Sequence, residues 1–139
     1  MPVFRTASED ETIALGESLA RELPPHCVVL LEGNLGAGKT TLAKGILKGL
    51  GAAEPDEVAS PTFTLIHEYA GGRAYHIDLY RIEDARELRT LALEEILDLD
   101  AVVLVEWGER FSRLWPEDRI RIRLAALVGG EREIRFRED

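Results

Sequence analysis

Residues 27–50 of the chain read CVVLLEGNLGAGKTTLAKGILKGL. The first five residues form an uninterrupted apolar run, which is typical of a strand that is buried on both faces of a sheet. From residue 39 to residue 50 the apolar residues recur at helical spacing, and Gly51 is suited to the left-handed cap that ends a helix. The stretch therefore predicts a strand, a glycine-rich loop and a helix in direct succession.

The loop at residues 33–40 matches the pattern G-x-x-x-x-G-K-[ST] at every position. Glycines let main-chain N–H groups close around phosphate oxygens, and the helix that follows adds the positive end of its dipole. We expect the Lys39 ammonium to reach the terminal phosphates, the Thr40 hydroxyl to bind Mg²⁺ and Thr41 to bond the α-phosphate. The predicted nucleotide-binding residues are Gly33, Asn34, Leu35, Gly36, Ala37, Gly38, Lys39, Thr40 and Thr41.

The segments on either side of this unit carry their own patterns. Residues 8–23 predict a helix that begins with a capping box at Ser8 and Glu11 and ends before two prolines. Residues 51–61 show no periodicity and predict a long loop. Two runs rich in β-branched and aromatic residues, 62–69 and 74–79, flank a Gly-Gly pair and predict a hairpin.

The rest of the chain completes an α/β pattern. Residues 83–97 read as a helix in two pieces, and residues 101–105 form a second continuous apolar run, which is expected of another central strand. Alternating apolar and charged residues around Gly129 and Gly130 predict a final hairpin with one buried face. The sequence thus predicts a P-loop NTPase-like three-layer domain, with a mixed, mostly parallel sheet and antiparallel hairpins, over residues 1–139 as a single domain.

Composition narrows the classes of function. The 139 residues include 17 Lys plus Arg and 26 Asp plus Glu, a net charge of −9, which argues against binding nucleic acid through the overall field of the chain. Any RNA is expected to be held by a partner. The single cysteine excludes an internal disulfide and a Cys-rich zinc site. The apolar runs are too short to span a bilayer and residues 1–8 lack a signal-peptide pattern, so we expect a cytoplasmic protein without a membrane association.

Two carboxylates compete to serve the metal ion. Glu106 ends the apolar run 101–105 and has the expected pattern, whereas Asp78 interrupts the half-polar run 76–80. We assign Glu106 to the metal, directly or through water, and Asp78 to the attacking water or the outer shell of the metal. The alternatives are a Glu106 that caps a helix and an Asp78 that pairs with Arg81 on the surface.

The nucleotide and a sensor for it are predicted from two further observations. Every lysine lies within residues 39–48, so the Asn-Lys-x-Asp loop that reads guanine in GTPases is absent and ATP is favoured. Thr62 follows Ser60 and Pro61 at the end of the long loop, where NTPases keep a segment that the γ-phosphate orders. Thr62 is therefore a candidate catalytic sensor, and the alternative is a threonine that starts a strand.

Four motifs now stand in order, at residues 33–41, 60–65, 76–81 and 104–109, and together they resemble the TsaE family of bacterial tRNA threonylcarbamoyladenosine biosynthesis. The resemblance implies a Mg²⁺-dependent ATPase with a P-loop fold. It also implies that turnover supports the TsaB–TsaD complex, which holds the tRNA and transfers a threonylcarbamoyl group to an adenosine beside the anticodon.

By position, the resemblance assigns roles to individual residues. Lys39 and Thr40 match the P-loop residues of the family, and Thr62 matches its switch-like segment. Asp78 matches the essential strand carboxylate and Glu106 the magnesium-linked acid. Residues 8–12 match the segment that lies near the adenine.

Other classes of function use the same loop. A small-molecule P-loop kinase would need an acceptor pocket and a lid, and a nucleotide-gated binding module would share every site residue while hydrolysing little ATP. A row of arginines on the last two strands is predicted to share one face, which is either a solvated sheet face or a surface for tRNA or an acidic partner. These arginines are Arg119, Arg121, Arg123, Arg135 and Arg137.

Overall fold

The computed structural model describes residues 2–59, 65–88 and 91–137. Seven strands and four α-helices are formed within these ranges. In chain order they are β1 Val3–Thr6, α1 Glu9–Ala20, β2 Cys27–Glu32, α2 Lys39–Gly49, β3 Ile66–Tyr69, β4 Ala74–Asp78, α3 Ala85–Leu88, α4 Leu93–Leu97, β5 Val102–Glu106, β6 Ile120–Ala126 and β7 Arg132–Phe136. Single 3₁₀ turns occur at Pro55–Glu57, Gly108–Phe111 and Val128–Gly130.

The strands form one mixed sheet in the order β1-β7-β6-β2-β5-β4-β3. The four central strands, β6, β2, β5 and β4, run parallel, and the antiparallel neighbours β7 and β3 flank them. The mostly parallel α/β fold with antiparallel hairpins is therefore confirmed. Because the central strands are parallel, the carboxyl ends of β2, β4 and β5 meet at the same edge of the sheet.

The core lies on both faces of the sheet, which explains the apolar runs of β2 and β5. One face packs against α1 and α2 through residues such as Val29, Leu31 and Leu104. The opposite face packs against the α3–α4 segment and a buried Trp115. As predicted, β2 has side chains in both apolar clusters and is buried along nearly its whole length.

Helices α1 and α2 contact each other through glycines. A Cβ added at Gly16 would lie 2.7 Å from the carbonyl oxygen of Leu42, and one added at Gly45 would overlap the carbonyl oxygen of Ile13. The main chains therefore approach more closely than a side chain would allow. This contact fixes α1 against the helix that follows the P-loop.

Adding one methyl group at this contact is expected to cost stability. Gly45→Ala should lower the free energy of unfolding by about 2 kcal/mol, because overpacking outweighs the gain in helix propensity. The measurement is the midpoint of urea unfolding. The control is Ser18→Ala on α1, whose exposed hydroxyl bonds only its own helix and whose loss is expected to change stability by less than about 0.5 kcal/mol. Equal stability of the Gly45→Ala protein and the wild type would contradict the close contact.

Several boundaries differ from the sequence prediction for physical reasons. Strand β1 was not predicted, because its four residues alternate only weakly between exposed and buried positions and form a strand by pairing with β7. Helix α1 begins after Ser8, whose hydroxyl accepts from the Glu11 N–H as expected, but the Glu11 carboxylate accepts from Ala7 rather than from the Ser8 main chain. In the described ranges, no helix has the length and apolar character needed to cross a membrane.

Candidate nucleotide-binding site

The glycine-rich loop passes directly from β2 into α2. Gly38 is the residue before α2 and adopts φ 103°, a left-handed conformation that side chains rarely tolerate. Because Gly38 has no side chain, it cannot cap the first N–H groups of α2, and such groups at a helix start are suited to an anion. The loop therefore has the local geometry of a phosphate-binding site.

Lys39 is the first residue of α2 and is almost fully buried. Its Nζ donates to the carbonyl oxygen of Gly33 at 2.6 Å and lies 3.4 Å from the centre of the Trp107 ring. Burial lowers the pKa of Lys39, and this outweighs the opposite effect of nearby carboxylates, of which Glu106 is the strongest. The ammonium is thus a partly desolvated charge, which interacts strongly with any anion that enters the loop.

Glu106 connects α2 to the sheet. Its Oε2 atom accepts a hydrogen bond from the Thr40 hydroxyl at 2.8 Å and is 2.6 Å from Nε2 of His76. Glu106 is buried, so its carboxylate relies on these partners for the hydrogen bonds that water would otherwise supply. The sequence left open that Glu106 only caps a following helix. That interpretation does not account for the contacts with Thr40 and His76.

Asp78 lies beside Glu106, because the two residues are opposite each other in the parallel pair β4–β5. Its Oδ1 atom accepts from the main-chain N–H of Tyr80 at 2.9 Å, and its side chain is buried. Two carboxylates and the Thr40 hydroxyl thus stand at the end of the sheet that faces the P-loop. The surface position considered for Asp78 is excluded by its burial.

This set of donors fits a magnesium ion that is bound together with a nucleotide. Mg²⁺ prefers oxygen ligands and is usually held by one or two carboxylates plus substrate phosphates rather than by a cage of protein side chains. Thr40, Glu106 and Asp78 supply oxygens of this kind. Within the part of the chain that the structure describes, no cluster of three or more His, Cys, Asp or Glu side chains could hold a metal by itself.

A cavity of about 460 Å³ joins these groups, a size that is typical of small-ligand sites. One wall is the P-loop and the start of α2, and another contains the two carboxylates with Tyr80 and Trp107. The start of α1 and the β6–β7 turn close the far end. The lining residues are Ser8, Glu9, Thr12, Leu35, Gly36, Gly38, Lys39, Thr40, Thr41, Asp78, Tyr80, Glu106, Trp107, Gly130 and Arg132.

The structure brings most of the predicted site residues together. Of the predicted loop residues, Gly33, Asn34 and Ala37 shape the turn without lining the cavity. Thr62, the candidate sensor, lies outside the described residues. The start of α1, expected near an adenine, does line the cavity through Ser8, Glu9 and Thr12.

Reasoning from the sequence missed the positions of three residues at the site. Arg132 reaches the loop, where its Nε lies 3.5 Å from the place a Cβ would take on Gly38, and only the antiparallel pairing of β6 and β7 puts it there. His76 is part of no metal-binding spacing in the sequence, and its contact with Glu106 follows from the β4–β5 register. Arg110 donates to the main-chain oxygens of Tyr80 and Ile82, a contact that no sequence pattern indicates.

Three arginines of the row on β6 and β7 are engaged with acidic side chains, whereas Arg119 and Arg137 donate to main-chain oxygens. Arg121 donates two hydrogen bonds to the buried carboxylate of Glu32, at 2.8 and 3.0 Å, and Arg135 donates to Glu133 at 2.9 Å. Arg123 lies 3.6 Å from the same Glu32. These ion pairs favour the interpretation of a structural sheet face over that of a free basic surface.

Trp107 forms a cover over the Lys39 ammonium. It adopts φ 63°, which a residue with a large side chain rarely does, and its ring centre lies 5.0 Å from that of Tyr80, with the two ring planes tilted by 55°. A conformation of this kind costs about 1–3 kcal/mol and persists only where its surroundings impose it. The strained position of Trp107 is therefore part of how the site is built.

Nucleotide binding is expected to change the fluorescence of Trp107, because the ring contacts the ammonium that would turn to the phosphates. The measurement is the emission spectrum during titration with Mg²⁺-ATP in a Trp115→Phe background. Trp115 is buried and donates to the Gly108 carbonyl at 2.7 Å, so the variant is first checked for unchanged thermal unfolding. Trp107→Phe is the reciprocal control and should abolish the response. If the Trp107 emission stays constant at saturating Mg²⁺-ATP, residues 106–108 do not lie at the ligand site.

Comparisons with known proteins agree with this geometry. Residues 6–134 match the family described as threonylcarbamoyl adenosine biosynthesis protein TsaE. The chain is 42% identical over 135 residues to the tRNA threonylcarbamoyladenosine biosynthesis protein TsaE of Bacillus subtilis, covering 96% of this chain and 83% of that protein. It is 39% identical over 128 residues to the protein of the same name from Treponema pallidum, covering 91% and 93%.

A solved structure is also similar. The crystal structure of YdiB from Bacillus subtilis superposes with a TM-score of 0.77 and 36% sequence identity. The match covers 97% of this chain and 83% of the other. The likeness therefore extends over nearly all of the fold, including the strands and helices that carry the site.

Proposed function

Because the chain belongs to the TsaE family of threonylcarbamoyl adenosine biosynthesis proteins, we propose that it binds Mg²⁺-ATP and hydrolyses it in support of this tRNA modification. In this proposal residues 1–139 act as one ATPase domain. The observation that carries it is the meeting of Lys39, Thr40, Asp78 and Glu106 in one cavity at the end of the parallel sheet.

Each of these residues has a physical task in the proposal. The first N–H groups of α2 and the Lys39 ammonium bind the phosphates and offset the charge that develops on them. Thr40 and Glu106 would hold a magnesium ion, which would offset the negative charge of the phosphates. Asp78 orients the attacking water from the neighbouring strand end. Thr62 is retained as the sensor of the γ-phosphate.

The choice of ATP rests on the chain itself. The guanine-reading loop of GTPases needs a lysine beyond the P-loop helix, and the sequence has none there. Ser8, Glu9 and Thr12 at the start of α1 also line the cavity and are proposed to face the adenine. The net charge of −9 means that the electrostatic field of the whole chain repels RNA. We therefore assign tRNA binding to the TsaB–TsaD complex in the cytoplasm.

Hydrolysis by the isolated protein is expected to be slow and to increase about 10³- to 10⁵-fold with a group supplied in trans. Arg110 is engaged with main-chain oxygens, so the cations that line the cavity are Lys39 and Arg132 among the described residues, and neither is placed by the sequence motif to reach the leaving oxygen as an arginine finger does. The measurement is steady-state phosphate release by the protein alone, with the TsaB–TsaD pair, and with the pair and tRNA. A partner that binds the ATP state better must also be bound more tightly when ATP is present, since coupling is reciprocal.

Affinity for the TsaB–TsaD pair is therefore titrated with and without a non-hydrolysable ATP analogue. Fast turnover that partners leave unchanged, together with equal affinity in both titrations, would contradict the proposed coupling. Phosphate release with no acceptor present separates the ATPase from a small-molecule kinase. A nucleotide-gated binding module would release almost no phosphate even in the full complex.

A further inference from the structure

His76 is a fully buried polar side chain that the predicted machinery does not use. It lies on β4, two residues before Asp78, and Glu106 is one diagonal step away on β5. Long side chains bridge such a diagonal. Its Nε2 atom is 2.6 Å from Glu106 Oε2, the same oxygen that accepts from the Thr40 hydroxyl.

The chemistry of the pair fixes which ring nitrogen carries the proton. An ionised carboxylate only accepts hydrogen bonds, so Nε2 of His76 must donate. The other ring nitrogen, Nδ1, has no hydrogen-bond partner among the residues that the structure describes. A proton on Nδ1 would therefore be a buried donor without an acceptor, whereas the neutral ring with its proton on Nε2 avoids that cost.

Two donors on one oxygen determine how the carboxylate lies. The terminal torsion of a glutamate is soft, so a single hydrogen bond leaves the plane of the carboxylate loosely defined. Thr40 approaches Oε2 from α2, and His76 approaches the same atom from β4. Together they hold Oε2 in place, and neither hydrogen bond uses Oε1, which remains for a cation.

We propose that His76 is a positioning residue for the magnesium site, which acts by donating from Nε2 to Glu106 and so presents the other carboxylate oxygen to the nucleotide-bound cation. This inference rests on the proposed function. It makes the hydrogen bond, and not the volume of the ring, the property that matters. Partners of this kind around metal ligands are worth about 10- to 100-fold in metal affinity.

The test compares two amides that differ in reach. The Gln amide nitrogen can take the place of Nε2, while the shorter Asn amide matches Nδ1 and falls short of Glu106. Mn²⁺ serves as the probe, and its binding to the protein with ADP is followed by the electron paramagnetic resonance of free Mn²⁺. We expect His76→Asn to weaken Mn²⁺ binding about 10-fold or more and His76→Gln to stay within about 3-fold of the wild type. Affinity for ADP without metal, read from Trp107 fluorescence, should be unchanged in both variants.

Equal Mn²⁺ affinity of the wild type and a folded His76→Asn, or a His76→Gln as weak as His76→Asn, would overturn the proposal. If both variants fail to fold, the proposal is tested by nitrogen NMR of the wild type with ¹⁵N-labelled histidine, which reports the tautomer of His76. The expected tautomer has its proton on Nε2, and a proton on Nδ1 with a bare Nε2 would also overturn it. Failure of the proposed function looks different, since the wild type would then bind neither ADP nor Mn²⁺ with ADP.

Discussion

Replacing Lys39 by alanine is expected to reduce ATP hydrolysis by about 10²- to 10³-fold, as the loss of one preorganised charge at a developing anion does elsewhere. The ammonium already lies between the Gly33 carbonyl and the Trp107 ring, with little water around it. Phosphate oxygens therefore meet a charge that needs little further desolvation. The measurement is phosphate release at saturating Mg²⁺-ATP in the presence of the partners.

The fold is expected to survive this change. Burial lowers the pKa of Lys39 below its ordinary value of 10.5, so the folded chain holds the proton less well than the unfolded chain. The charged lysine therefore costs stability at neutral pH, and this cost is relieved as pH rises through the lowered pKa. Lys39→Met, which keeps the stem without the charge, should unfold at the same temperature as the wild type or higher.

The matched control is Lys44→Ala, a second lysine on α2 that does not line the cavity. It should leave turnover within about 2-fold of the wild type, because its charge lies outside the cavity and is partly accessible to screening by solvent. Normal turnover of a folded Lys39→Ala protein would show that the P-loop lysine takes no part in hydrolysis. A loss of turnover in Lys44→Ala as large as in Lys39→Ala would show that the charge of the helix, and not its first residue, is what matters.

The second large effect separates the two carboxylates. Glu106→Gln is expected to raise the Mg²⁺ concentration needed for half-maximal hydrolysis about 10-fold or more, because a charged ligand of the ion becomes neutral. Glutamine is used because Thr40 and His76 keep an acceptor, whereas alanine would strand both donors. Asp78→Asn is expected to keep ATP affinity and lose hydrolysis about 100-fold or more.

Both variants are measured over a full Mg²⁺ titration, with ATP binding followed separately by Trp107 fluorescence. Glu117→Gln, which changes an exposed acid outside the cavity, is the control and should behave as the wild type. If Asp78→Asn shifts the Mg²⁺ requirement and Glu106→Gln does not, the two roles are exchanged. Normal hydrolysis in both variants would place the reacting groups elsewhere.

The P-loop unit was predictable because its information is local. A buried strand, a glycine loop and a helix follow each other without a break, and residues 27–50 contain all three. The helix was therefore predicted from about Lys39 to Leu50, and α2 is formed by Lys39–Gly49. The pairing of β3 with β4 was predictable for the same reason, since a short turn joins the two strands.

Contacts between distant strands were not predictable in this way. The strand order puts β6 beside β2, and from that position Arg121 reaches Glu32, a partner 89 residues away. His76 reads as one residue of a half-polar strand until the register of β4 and β5 is known. Patterns of alternation give the face of a strand, but the neighbouring strand decides what that face meets.

The glycine contact between α1 and α2 affects which ligands can fit into the cavity. Main chain meets main chain at Gly45, so neither helix can slide along the other without overlap or a gap. The start of α1 and the start of α2 both line the cavity, and the distance between these two parts of the lining is therefore fixed. We therefore expect the cavity to select nucleotides by the distance between base and phosphates, and any adjustment to occur in the part of the lining that contains Tyr80 and Trp107.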